Sequence, residues 1–152
     1  MHAQPLMAFL HHVAAFTLVG SLSAEMVLFK PPLTTAQARR VLGADAIFGI
    51  SAGTLLIVGL LRVFYFEKGA AYYFANGFFI VKLSLFILAA LLSIYPTRLF
   101  LSWRPLLKQG TTPSPSPEQT RRARMCIMWE LTAILGILLC APFMAQGLGM
   151  LR

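Results

Sequence analysis

Charge is scarce in this 152-residue chain: Asp, Glu, Lys and Arg together make up 12% of it, about half the share usual in a soluble domain. The shortage falls on one sign, with five acidic residues against thirteen basic ones. Cysteine is nearly absent. Cys126 and Cys140 are the only two; in one helix they would stand roughly 21 Å apart, whereas a disulfide needs Cα atoms within about 7 Å. A disulfide framework is thereby excluded, and no CxxC or Cys/His spacing offers a zinc site. Both thiols are expected to pack as small apolar groups. Low-complexity sequence is confined to a Pro/Ser linker at 109–117, which excludes a disordered or collagen-like chain.

What is there is apolar. Hydrophobic residues make up 58% of the chain, and the mean hydropathy is +0.74. Four runs, at 6–29, 41–66, 78–100 and 125–148, are long enough for a bilayer crossing of about 20 residues. They are too long for strands and lack the alternation of an outer-membrane barrel. The expected fold is all-α: one integral membrane domain, 1–152, built as a four-transmembrane-helix bundle. The chain is too short to carry a further soluble module. The first run has no basic residue before it, since MHAQPLM lacks Lys and Arg; it reads as a retained span rather than a signal peptide.

The links are short. Thr34 and Thr35 supply a helix cap ahead of a lead-in turn with Arg39 and Arg40, and Ser116 caps a helix that begins with Pro117. The stretch from Glu67 to Gly77 reads as an aromatic hairpin loop, with Tyr65, Tyr72, Tyr73 and Phe74 suited to the interface. Pro142 is expected to kink the fourth span. Nine basic residues (Lys30, Arg39, Arg40, Arg98, Arg104, Lys108, Arg121, Arg122 and Arg124) lie at the links between spans one and two and between spans three and four; only Arg62, Lys68 and Arg152 lie at the other end. The basic side is expected to be cytoplasmic, with both termini outside a bacterial inner membrane. This asymmetry accounts for most of the net charge of +8 and removes the case for nucleic acid as a partner. Gly49 to Gly53 is a GxxxG, and Gly20, Ser21, Ser23 and Ala24 crowd the first span. Such residues favour close helix contact, in a compact bundle or a homodimer.

An ionisable side chain within a span costs at least about 2.5–3.5 kcal/mol near its centre. The chain carries His11, His12, Glu25, Asp45, Arg62, Lys82 and Glu130 in such positions. They fall into two layers. His11, His12, Arg62 and Lys82 lie toward the outer side. Glu25, Asp45 and Glu130 lie toward the basic side, where arginines or interfacial water offer a structural explanation. His11 and Glu25 are about 40° apart on one helical face, and His12 diverges by about 100°. The outer layer combines imidazoles with two cations, the donor set of a haem b site: an axial His and partners for two propionates. The plainer alternatives are an interhelical hydrogen bond from the histidine and snorkelling of Arg62 and Lys82. His2 is too near the terminus to anchor a site.

Short motifs add a resemblance. Leu10-His11-His12-Val13-Ala14-Ala15, Phe78-Phe79-Ile80-Val81-Lys82-Leu83, Trp129-Glu130-Leu131 after Arg121 and Arg124, and Ala141-Pro142-Phe143 resemble successive helix patterns of the HemJ group. These are small four-helix membrane protoporphyrinogen IX oxidases, distantly related to CopD copper-resistance domains. The chain looks most like a bacterial sister family of that group. It departs from the HemJ pattern at Thr17, Leu18 and Glu25, and Trp129 stands where that group has Asn. The resemblance implies the scaffold and haem b held by the first-helix His11. The polar layers add the rest of the reading: His12 second or serving a neighbouring subunit, Arg62 and Lys82 on the propionates or an anionic substrate, and Glu25, Glu130 and Lys82 as the expected catalytic groups, the two acids moving protons for a porphyrinogen-like or quinol-like substrate or for electron transfer. The alternatives are a transport or metal-resistance protein using the same polar interior, and a structural subunit.

The topology makes a direct prediction. In a cysteine-free background, Thr112→Cys in the Pro/Ser linker should react with an impermeant thiol reagent only from the cytoplasmic side. Labelling from the periplasm would invert the orientation.

Overall fold

The computed structural model describes residues 3–66, 69–146 and 148–150; His2, Glu67, Lys68 and Arg152 lie outside them. Among the described residues the chain is helical without a strand. Four long helices, α1 (Ala3–Leu28), α2 (Thr35–Leu61), α4 (Gly77–Leu101) and α6 (Pro117–Ala145), are joined by the short helices α3 (Ala70–Phe74) and α5 (Arg104–Lys108). A π-helical turn, Arg62–Phe66, extends α2. The four long helices carry segments long and apolar enough to cross a membrane.

Two capping boxes decide where α2 and α6 begin. The Thr34 hydroxyl accepts from the Gln37 backbone N–H at 3.1 Å while the Gln37 side chain accepts from Thr34 N at 2.9 Å. Ser116 and Gln119 repeat the arrangement at 3.1 and 2.9 Å, with Pro117 at the first helical position. Each box satisfies donors that a bare helix end would leave open. Both helices therefore start ahead of their apolar runs, at Thr35 rather than 41 and at Pro117 rather than 125. Their polar first turns carry the arginines at the basic end.

The aromatic link is more ordered than a loop. It folds into α3 and ends on Asn76, whose side-chain oxygen caps α4 by accepting from Phe78 N and Phe79 N at 3.0 and 3.3 Å. Its amide donates to the Leu148 carbonyl at 2.9 Å, and Gly77 N donates to the Gly149 carbonyl at 2.8 Å. Asn76 thus ties the start of α4 to the end of the chain. Gly149 has φ of 80°, and a Cβ there would stand 2.5 Å from the Phe78 ring. Only glycine meets both conditions.

Packing pairs α1 with α2 and α4 with α6; the pairs meet through α1 against α6 and α2 against α4. The main core lies toward the basic end. Phe29, Phe100 and Trp103 form a buried aromatic trio with ring centroids 5.0 to 5.8 Å apart. It joins the ends of α1 and α4. Two arginines close the same end. Arg124 donates to the Met26 and Phe29 carbonyls at 3.2 and 2.7 Å, and Arg39 donates to the Leu107 carbonyl at 3.0 Å. Cations thereby satisfy the carbonyls at the ends of α1 and α5. Large apolar side chains such as Phe16 and Ile50, 78% and 71% exposed, point outward, as lipid-facing helices require. Pro142 lies inside α6, and Pro96, buried inside α4, is a second helix-internal proline.

The glycines separate packing from open surface. At Gly136, α6 comes so close to α4 that a Cβ would lie 2.9 Å from Leu85 Cδ1, whereas Gly49 and Gly53 have nothing within 4 Å. The GxxxG face is thus unused within the chain. Gly136→Val should lower the thermal midpoint in detergent, with a cost of about 1–3 kcal/mol. Gly49→Val should leave the fold's midpoint unchanged. Equal losses would refute this packing.

Candidate functional site

The structure places the in-span ionisable residues in two layers at opposite ends of the bundle. In the outer layer, His11 is half-buried. A Cβ on Gly59 of α2 would lie 3.8 Å from its ring, so the imidazole occupies the room that this glycine leaves. His11 Nδ1 is buried without a hydrogen-bond partner among the described residues. Lys82 from α4, Arg62 at the start of the π-turn, and His12 are all near enough to act electrostatically on His11. Lys82 also stands near Cys140 of α6. Four helical elements thus contribute to one polar group, although α1 and α4 belong to different helix pairs. His12 stands apart. It is exposed, its ring is turned 85° from that of His11, and its Nδ1 lies 2.6 Å from the Ala8 carbonyl. That contact leaves Nε2 of His12 as the outward-facing nitrogen.

In the inner layer, Glu25 of α1 and Glu130 of α6 are each 1% exposed, and Asp45 of α2 is 6% exposed. The three carboxyl groups are close enough to act on one another. Asp45 Oδ1 accepts a 2.6 Å hydrogen bond from the Thr97 hydroxyl of α4. Among the described residues, Glu25 Oε1 and both carboxyl oxygens of Glu130 have no hydrogen-bond partner. Pairing with arginine does not explain this layer. Arg124 and Arg39 are engaged with backbone carbonyls, Arg122 lies over the Tyr95 ring at 4.5 Å, and Arg104 is the cation that acts on Asp45, without a direct bond. Carboxyl groups from three helices therefore meet in the interior, with the Thr97 hydroxyl bonded to Asp45 alone.

The arrangement limits the chemistry. Among the described residues no group of three or more His, Cys, Asp or Glu side chains is placed to hold a metal ion. A metal that arrives within its own ring of ligands needs less. Haem b asks the protein for an axial imidazole and for cations near its propionates. His11 with Arg62 and Lys82 matches that donor set, and the unpartnered buried nitrogen of His11 is compatible with it. Ala14 and Leu18, below His11 on the same face, are buried by their neighbours. That stripe of α1 is thus filled beyond His11.

Residues 3–149 match the family described as predicted membrane protein (DUF2214). The chain belongs to that family. No curated protein and no solved structure matches it. Membership in DUF2214 agrees with the four spans and carries no statement about a ligand.

Asp45 of the inner layer is visible in the sequence as a carboxylate near the basic side; its partner Thr97 is not. A threonine next to a proline in an apolar run is an ordinary residue until the opposite helix brings a carboxylate to it. Thr97→Val should destabilise the protein by about 1 kcal/mol, the net worth of a hydrogen bond. Thr132→Val, whose hydroxyl bonds only to Met128 of its own helix, should not. Glu25→Gln should keep or raise the thermal midpoint, because it removes an unpaired ionisable group. A loss at Glu25→Gln as large as at Thr97→Val would show that the carboxylate has a structural partner.

Proposed function

We propose that this membrane protein binds haem b at the outer layer and couples one-electron chemistry there to proton movement through the bundle. The observation that carries the reading is His11: an imidazole inside a span, with an unpartnered buried nitrogen, beside Arg62 and Lys82. His11 would hold the iron. His12, directed outward, is the second candidate or serves a neighbouring copy in a homodimer, for which the unused Gly49–Gly53 face is a contact surface. Arg62 and Lys82 hold the propionates or an anionic substrate, and Lys82 is placed to steer it.

When bound, haem supplies one-electron oxidation and reduction at its iron. The remaining work falls to the chain's own residues. Glu25 and Glu130 take up and release protons at their carboxyl oxygens, with Asp45 beside them. The apolar packing at Leu18 and Leu22 between the layers excludes bulk water. The substrate class is a porphyrinogen-like or quinol-like donor of electrons and protons, or a protein that passes electrons on. The proposed setting is a bacterial inner membrane with the arginine-rich links in the cytoplasm.

The acid layer also favours a second reading, a transporter of protons or other small cations with no pigment. The two readings separate in one preparation. Full-length protein purified from a haem-replete host should show a Soret band. His11→Ala should abolish or greatly reduce it, and His12→Ala should perturb it less. Pigment lost in His12→Ala and kept in His11→Ala would exchange the two roles. A colourless wild type, or pigment unchanged in both single variants and the double variant, would end the haem reading.

A further inference from the structure

A groove of about 670 Å³ opens at the basic end, between the end of α1 and the first turns of α6. It lies far from the histidine layer, and none of its lining residues belongs to either polar layer. One face of α6 forms its floor. Thr120, Arg121, Arg124, Met125 and Met128 all line it, and Met26 of α1 stands opposite. These positions recur at helical spacing, so they form one stripe along α6.

The stripe changes character along its length. Thr120, Arg121 and Arg124 sit at the end near the helix start. Met125 and Met128, each about half exposed at 49% and 47%, continue it toward the middle of the span. From Arg121 to Met128 the stripe runs roughly 10 Å. Arg124 is fixed in place by its bonds to the Met26 and Phe29 carbonyls, so its charge is held in the groove wall. Thr120 Oγ1 has no hydrogen-bond partner among the described residues. The groove therefore offers a fixed cation, a second exposed cation and an idle hydroxyl, followed by flexible thioethers.

We propose that this groove binds an anionic phospholipid. The phosphate of its headgroup lies between Arg121, Arg124 and the Thr120 hydroxyl, and an acyl chain runs down the methionines. The order of the groups is the argument. Cations and a hydroxyl at the interfacial level match a phosphodiester, and adaptable apolar side chains below match a chain of variable packing. A soluble anion would have no use for the methionine half. The inference does not rest on haem binding, and its test is independent of pigment.

The test uses the full-length protein in nanodiscs of phosphatidylcholine with a minor share of phosphatidylglycerol, with retained lipids counted by native mass spectrometry. Phosphatidylglycerol should be enriched about fivefold over its share of the bilayer, as one added cation contact allows. Arg121→Gln should remove most of the enrichment, and Thr120→Val part of it. Arg121 is exposed, so its replacement leaves the fold intact. Arg122→Gln is the control, because Arg122 lies over Tyr95 outside the groove, and it should retain the enrichment. Absence of enrichment, or equal loss in Arg121→Gln and Arg122→Gln, would overturn the proposal. Displacement of the lipid by millimolar inorganic phosphate would also overturn it, by showing a site for the free ion.

Discussion

The constraint on which the structure depends is the cost of an ionisable group in hydrocarbon, several kcal/mol even after relaxation. It forces Glu25, Asp45 and Glu130 inward, to the place where both helix pairs meet. That meeting place is narrow, since α1 packs mainly on α2 and α4 on α6. The Asp45–Thr97 bond is thus a polar contact between the halves, beside the arginine bonds to the Met26, Phe29 and Leu107 carbonyls and the aromatic trio. The same constraint drives His11 into the room beside Gly59 at the other end. The lipid-facing surface is left to Phe16, Ile50 and similar side chains.

Arginine is divided in a way that makes the acid layer unusual. The basic end carries most of the positive charge, yet its arginines serve backbone carbonyls and an aromatic ring. Arg124 closes the end of α1, Arg39 closes α5, and Arg122 stacks on Tyr95. Each bond fixes a helix end where the chain turns. The acids one or two turns deeper are left with one another. Cations at the surface and acids without a direct ion pair below them are a poor device for stability alone, and this is what supports the proton-handling role proposed for them.

Much of this could be read from residues in order. Four spans, the two capped helix starts and the separation into a cationic and an acidic layer follow from run lengths, Thr34 and Ser116, and the positions of seven ionisable residues. The span limits were legible only to within two turns, because a capping box extends a helix into polar sequence that hydropathy does not register. The short helix α3 and its tie through Asn76 to Leu148 and Gly149 were not legible, because they depend on two distant parts of the chain meeting. Asp45 shows the same limit. Its depth suggested a surface partner, and only the neighbouring helix reveals Thr97 instead. The GxxxG pattern was visible but not its use, since the fold packs tightly at Gly136 and leaves Gly49 and Gly53 open.

Three buried carboxyl groups stand together in an apolar interior, and only Asp45 takes a side-chain hydrogen bond among the described residues. The central proposal is that Glu25, Asp45 and Glu130 act as one coupled group that takes up and releases protons. Infrared spectroscopy of the full-length protein measures this directly through the C=O stretch of protonated carboxyl groups and its shift in heavy water. The account predicts such a band at neutral pH, weakened or displaced by each of Glu25→Gln, Asp45→Asn and Glu130→Gln. A spectrum with no protonated carboxyl band, or a band that none of the three substitutions alters, would contradict it.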